Sequence, residues 1–312
     1  MTEDASPENL HKFLESDDLA VIRKGISLAK GSSNSNILGL ILSTRLFHED
    51  KGIRALAKSV FTSMASSEVK SIVTKYWQAE YRKQTWIWET NWFGKMFVEL
   101  EKAEINPVYV MIEGLRKNNK IIQVNAMENL SKINLAEVQS SVLPIVLEKL
   151  LSKHYGYNHN FEKEFMAISL LEKIGNDQAL EILIKSLGNN YKIAEKAAVS
   201  LAVIGDVRAV VPMIKLLEQN FAITSSWQKR KSKEIIDALG KLEDVRAIEP
   251  LAKGLDMDLN MDEKTAINEA ISNLLDGLDI GNKERKNLLR FLIGEDQGMR
   301  VMGISMLRGM GI

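Results

Sequence analysis

Cysteine is absent from the sequence, which removes disulfides, thiolate metal sites and a cysteine nucleophile together. Only four histidines occur, and only five prolines. No apolar run approaches the roughly 20 residues that a membrane-crossing helix needs, so no membrane span is expected. The opening MTEDASPENL is acidic and polar and lacks the basic and apolar regions of a signal peptide. These absences fit the cytoplasm. Neither sign of charge is in surplus: 41 Lys and Arg stand against 41 Asp and Glu. Nucleic-acid binders draw much of their affinity from phosphate contacts and usually carry a basic excess, so neutrality argues against a dedicated DNA or RNA binder.

What is present is apolar material in a helical rhythm. Hydrophobic residues make up 45% of the 312, enough for a continuous packed interior and too many for wholesale disorder. Four of the prolines fall at 107, 144, 212 and 250. The middle interval divides evenly enough if Ile182 takes the equivalent place, and the spacing is then 30 to 38 residues throughout. Text repeats around these points: IGNDQALEILIKSL from Ile174, IGDVRAVVPMIKLL from Ile204, LEDVRAIEPLAKGL from Leu242. Self-similarity at such a period, with helical patterning, marks a solenoid.

Each repeat reads as two helices. Ala194, Ala197, Ala198 and Leu201 fall at i, i+3, i+4 and i+7, one apolar face of a first helix. Gly205 supplies a stop, where a left-handed residue costs little. Asp206 is suited to cap the next turn, and Val210, Met213, Ile214 and Leu217 form the second apolar face. Pro212 sits early in that helix, where a missing N–H matters least. Asp244, Val245, Arg246 and Pro250 repeat the arrangement.

Gly-Asp-Val-Arg-Ala-Val-Val-Pro at 205–212 and Glu-Asp-Val-Arg-Ala-Ile-Glu-Pro at 243–250 resemble the short HEAT repeats named after phycobilisome lyases. The resemblance is sharp over about 165–255 and weaker over 105–165, where Pro107 and Pro144 keep the register without the Asp-x-Arg signature. It implies an all-α fold, an α-α superhelix or HEAT-like solenoid of antiparallel helix pairs. It also implies that Asp206, Arg208, Asp244 and Arg246 bridge neighbouring repeats and form no site. Before residue 105 only periodicity speaks: Ile53, Leu56, Ala57, Val60, Phe61 and Met64 keep one face, as do Val69, Ile72, Val73, Tyr76 and Trp77, with breaks at 31–36, 48–52 and 66–67. The expected organisation is an N-terminal helical region of divergent repeats over 1–104 and a repeat solenoid with capping helices over 105–312.

Four of the five tryptophans lie in YWQAEYRKQTWIWETNWF, residues 76–93. Stacked helices bury mainly small aliphatics, so these rings are candidates for a partner-binding surface: Trp86, Trp88, Trp92 and Tyr81, with Arg82 beside them. The competing account fills an uneven corner with them, and Tyr76 and Trp77 continue a buried stripe. A second candidate is Lys229, Arg230 and Lys231 in SSWQKRKSKE, a contact for phosphate or an acidic partner unless it is simply a solvated face. His154 and His159 are five apart in a Gly- and Asn-containing loop, not the i, i+4 pair that grips a metal on a helix. The single His48-Glu49 pair does not supply the several pairs of HEAT-type di-iron hydroxylases, which resemble this architecture. Met299, Met302, Met306 and Met310 run at near-helical spacing and suit a homodimer contact.

No catalytic residue, cofactor or metal is expected. The leading reading is a non-catalytic scaffold that presents a concave helical surface to a protein partner. Two alternatives come from resemblance. One is a HEAT-like DNA glycosylase, for which Trp86, Trp88, Trp92 and Glu89 are the available residues; the other is a bilin lyase-like enzyme.

Overall fold

Among the residues that the computed structural model describes (6–82, 92–117, 120–133, 142–151, 161–222 and 232–312), every regular element is a helix. No described helix is long and apolar enough to cross a membrane. The chain divides into two units, residues 1–146 and 147–312. The 104/105 division expected from the sequence falls inside the first of these.

The first unit contains α1 (Pro7–Leu14), α2 (Leu19–Leu28), α3 (Ser35–Phe47), α4 (Lys51–Met64), α5 (Ser67–Arg82), α6 (Trp92–Lys102), α7 (Val108–Arg116) and α8 (Lys120–Leu130). The three breaks read from the sequence are helix starts. Asn34 accepts from the Asn36 N–H at 2.9 Å, Asp50 from Ile53 at 2.8 Å and Ser66 from Val69 at 3.2 Å, each answering an orphan donor of the first turn. The stripe on α4 is buried at Ile53, Ala57, Val60 and Phe61, each contributing about 1–3 kcal/mol of hydrophobic stabilisation.

The chain-order pairs α1–α2, α3–α4, α5–α6 and α7–α8 pack together, but α7 also packs directly on α3, which is buried along most of its length. The approach is close because residue 39 is glycine. A Cβ there would stand 2.5 Å from the Asn106 carbonyl oxygen, and Asn106 donates to Asn36 at 2.8 Å. At the far ends Lys117 donates to the Phe47 carbonyl at 2.7 Å, so α3 and α7 run parallel. Arg116 pairs with Glu15 just past α1, which aligns α1 with them.

The second unit starts within α9 (Val142–Leu151) and continues with α10 (Glu162–Ile174), α11 (Asp177–Ser186), α12 (Tyr191–Ile204), α13 (Val210–Phe221), α14 (Lys233–Lys241), α15 (Ile248–Gly254), α16 (Met261–Asp276), α17 (Asn282–Leu292) and α18 (Gln297–Gly309). Here the stacking is that of a solenoid: α10, α12, α14 and α16 pack in one row, while α13, α15 and α18 form another. Ala194, Ala197, Ala198 and Leu201 are buried between them, as are Val210, Met213 and Leu217. Gly205 ends α12 at φ 76°, left-handed backbone that a side chain would strain. The last row member departs from chain order, since α17 packs on α16 and α18 returns to lie against α15. Arg300, buried, donates to Asp256 at 3.0 Å and to the Gly294 carbonyl, and Arg308 pairs with Glu249 of α15 at 2.6 Å.

Candidate functional site

Parallel packing of α1, α3 and α7 brings their C-terminal ends to one side of the first unit. The ends surround a groove of about 560 Å³, a size common for ligand sites. Leu14, Leu40 and Ile112 supply apolar walls, Leu19 stands at the opening, and Ser43, Phe47 and Tyr109 complete much of the lining. The hydroxyls of Ser43 and Thr44 both donate to the Leu40 carbonyl, at 2.8 and 2.9 Å, so toward the groove they offer lone pairs.

Its charged groups are organised around Arg116. One guanidinium nitrogen pairs with Glu15 and the other with Glu113 at 2.8 Å. Burial pushes the Glu113 carboxyl above its ordinary range, and Arg116 only partly offsets it. Lys117 lies over the Phe47 ring at 5.8 Å from its centre while bonding the carbonyl of the same residue, a cation on the negative end of α3. Gln123 closes α7 by donating to the Leu115 and Lys117 carbonyls at 2.9 and 2.8 Å. His11 packs 5.6 Å from the Tyr109 ring and 3.4 Å from Glu15. Burial holds its pKa below the ordinary value; Glu15 opposes that shift and Arg116 adds to it. His48 and Glu49 lie on the rim. The His48 Nδ1 accepts from the Asp50 N–H at 3.0 Å, so this imidazole shapes the turn into α4.

Sequence reasoning missed this groove, His48 and Glu49 having been considered only as a metal pair. Periodicity reports which helix face is buried, whereas the groove is made of helix ends: Glu15 and Arg116 meet across 101 positions. The available signal was local, a concentration of charge at the ends of three helical stretches.

The Asp-x-Arg elements lie elsewhere and join repeats, as the resemblance implied. Asp206 accepts from the Arg208 N–H at 2.9 Å and pairs with its guanidinium, which reaches on to Asp177 of α11 at 2.6 Å. One repeat later Arg246 pairs with Asp244 and reaches the Val207 carbonyl at 3.3 Å. These contacts are exposed and bridge α10–α11 to α12–α13, and that pair to α14–α15.

The candidates named from the sequence are placed differently. Trp86, Trp88, Lys229, Arg230 and Lys231 lie outside the described residues, as do His154 and His159. Tyr81 and Arg82 end α5 and Trp92 begins α6, but their side chains are also outside the description. The adjacent rings are described: Trp77 meets Phe47 edge-on at 5.5 Å, and the Tyr76 hydroxyl donates to Glu99 of α6, which also pairs with Lys75 at 2.8 Å. This edge of the aromatic stretch is packing. Of the methionines, Met302 and Met310 are exposed and Met299 and Met306 half-buried. Among the described residues no three His, Asp or Glu gather as a group able to hold a metal ion.

Stacked helix pairs tied by a repeated Asp-x-Arg contact define an α-helical repeat protein. The model of the PBS lyase HEAT-like repeat matches residues 233–257, the segment holding α14, its Asp244 turn and α15. Over this segment the chain is similar to a HEAT-like repeat, and further helix pairs of the second unit stack on it. No curated protein matches it significantly.

Proposed function

We propose that this α-helical repeat protein is a non-catalytic scaffold that binds a protein partner, and that the groove at the ends of α1, α3 and α7 is one place of contact. The observation that carries the reading is the groove itself: an open, part-apolar recess of about 560 Å³ on a rigid helical frame. Its central cation is tied to the protein's own carboxylates. Helical repeats serve such a role because stacking supplies extended pre-ordered surface without reactive groups. The Trp86, Trp88 and Trp92 stretch and the Lys229–Lys231 stretch remain proposed contacts of the same scaffold.

The test is cross-linking from a native lysate with a photoreactive residue at Leu19, which is 41% exposed, beside Leu19→Trp and a Trp86→Ala/Trp88→Ala variant. A polypeptide captured by the probe and lost with Leu19→Trp supports the groove. Loss only with the tryptophan variant moves the contact to 76–93. Capture of nucleic acid alone overturns the scaffold reading. The exposed Val301 and Met302 on α18 support a homodimer contact there, and a monomer by sedimentation at high concentration would exclude it.

A further inference from the structure

Resting on the groove as a protein-binding site, we propose that it receives a lysine or arginine side chain of the partner polypeptide. The backbone gives the first reason. Three helices present their C-terminal, carbonyl ends at the groove, and such ends carry partial negative charge. That charge is offset in part where Lys117 and Arg54 bond carbonyls at the end of α3 and Gln123 those at the end of α7. The N-terminal ends of α2 and α4, which also reach its rim, have been answered from within: Asp18 accepts from Ala20 and Asp50 from Ile53, both at 2.8 Å.

The side chains agree. Asp17 and Glu49 stand exposed at the rim, and among the described residues no lysine or arginine forms an ion pair with either carboxylate; Arg54 reaches only the Glu49 carbonyl, at 2.8 Å. The two cations of the lining are already engaged, Arg116 by Glu15 and Glu113, Lys117 by the Phe47 carbonyl. The hydroxyl protons of Ser43 and Thr44 point into Leu40. What the lining offers a newcomer is therefore mainly acceptors and negative charge. Leu14, Leu40 and Ile112 suit the methylene stem of a long cationic side chain, whose head group would stay at the polar rim. An acidic segment would meet like charge on both rim and backbone.

The full chain is titrated by fluorescence anisotropy with a short labelled peptide of alternating lysine and alanine, and with the same peptide acetylated on its lysines. Circular dichroism checks that each variant keeps its helices. The expected result is binding of the lysine peptide only, weakened about tenfold or more in Asp17→Asn/Glu49→Gln and abolished in Leu19→Trp. A control carrying Asp262→Asn/Glu295→Gln, exposed acids of the second unit, keeps its affinity. Equal binding of the acetylated peptide, or no dependence on Asp17 and Glu49, overturns the assignment. So does spermidine that binds at the groove more tightly than the peptide, because the occupant is then a free polyamine. A cross-linked partner lost with Leu19→Trp but indifferent to the rim acids refutes the basic side chain and leaves the groove reading standing. If Leu19→Trp changes no binding at all, the groove reading itself falls.

Discussion

Gly39 shows how one missing side chain positions the groove. The Asn106 carbonyl occupies the space a Cβ would need, and it belongs to backbone that cannot swing away. Gly39→Ala is expected to destabilise the first unit by about 1–3 kcal/mol, the usual cost of overpacking, read as a lower urea midpoint. His11 makes a second prediction. Its pKa is depressed by burial, so the fold holds it neutral while the unfolded chain takes up a proton first as pH falls. Stability from this residue is thus present above the ordinary histidine range, near 6.5, and is lost on acidification below it. Burial raises Glu113, which works in the opposite direction at lower pH. His11→Gln should lose less stability than the wild type between about pH 7 and pH 5.5, measured as paired urea midpoints. An equal loss in both would assign the pH dependence elsewhere.

At the scale of the helix, one proline decides how a repeat begins. Pro212 and Pro250 stand six residues after their caps Asp206 and Asp244, and Ile182 stands six after its cap Asn176. A proline there cannot bond the carbonyl four residues back and crowds it. The chain accordingly makes a 3₁₀ turn, Val207–Ala209 or Val245–Ala247, before α13 and α15, whereas α11 starts at once. The repeat register was legible because caps, stops and prolines recur at fixed offsets. The first unit was legible only as helices. Its α3–α7 packing depends on a backbone approach at Gly39 that no pattern announces, and the groove follows from that packing. Glu263 was likewise hidden: it is buried in α16 and accepts from the Asn260 N–H at 3.2 Å and, 31 positions away, from Ser232 at 2.9 Å. Removing it with Glu263→Ala leaves both donors unanswered and should cost about 1–3 kcal/mol. Hydrogen exchange should quicken at Ser232 and Asn260 first; unchanged protection there would refute the cap.

For the molecule as a whole, equal numbers of basic and acidic residues give no long-range pull toward a polyanion. Heparin is expected to release the full chain below about 0.15 M salt, with a shallow salt slope; firm retention with a steep slope would favour nucleic acid. Repeat proteins gain and lose length by copying a helix pair, and this is harmless where each pair meets only its neighbours in the chain. A copy of α12–α13 inserted after itself would face the same kinds of surface as the original. A copy inserted after α15 would not, because α15 lies against α18 and is held to it through Glu249 and Arg308. Gene duplication can therefore lengthen this array from its interior, while the stretch from α15 onward must be inherited as a block.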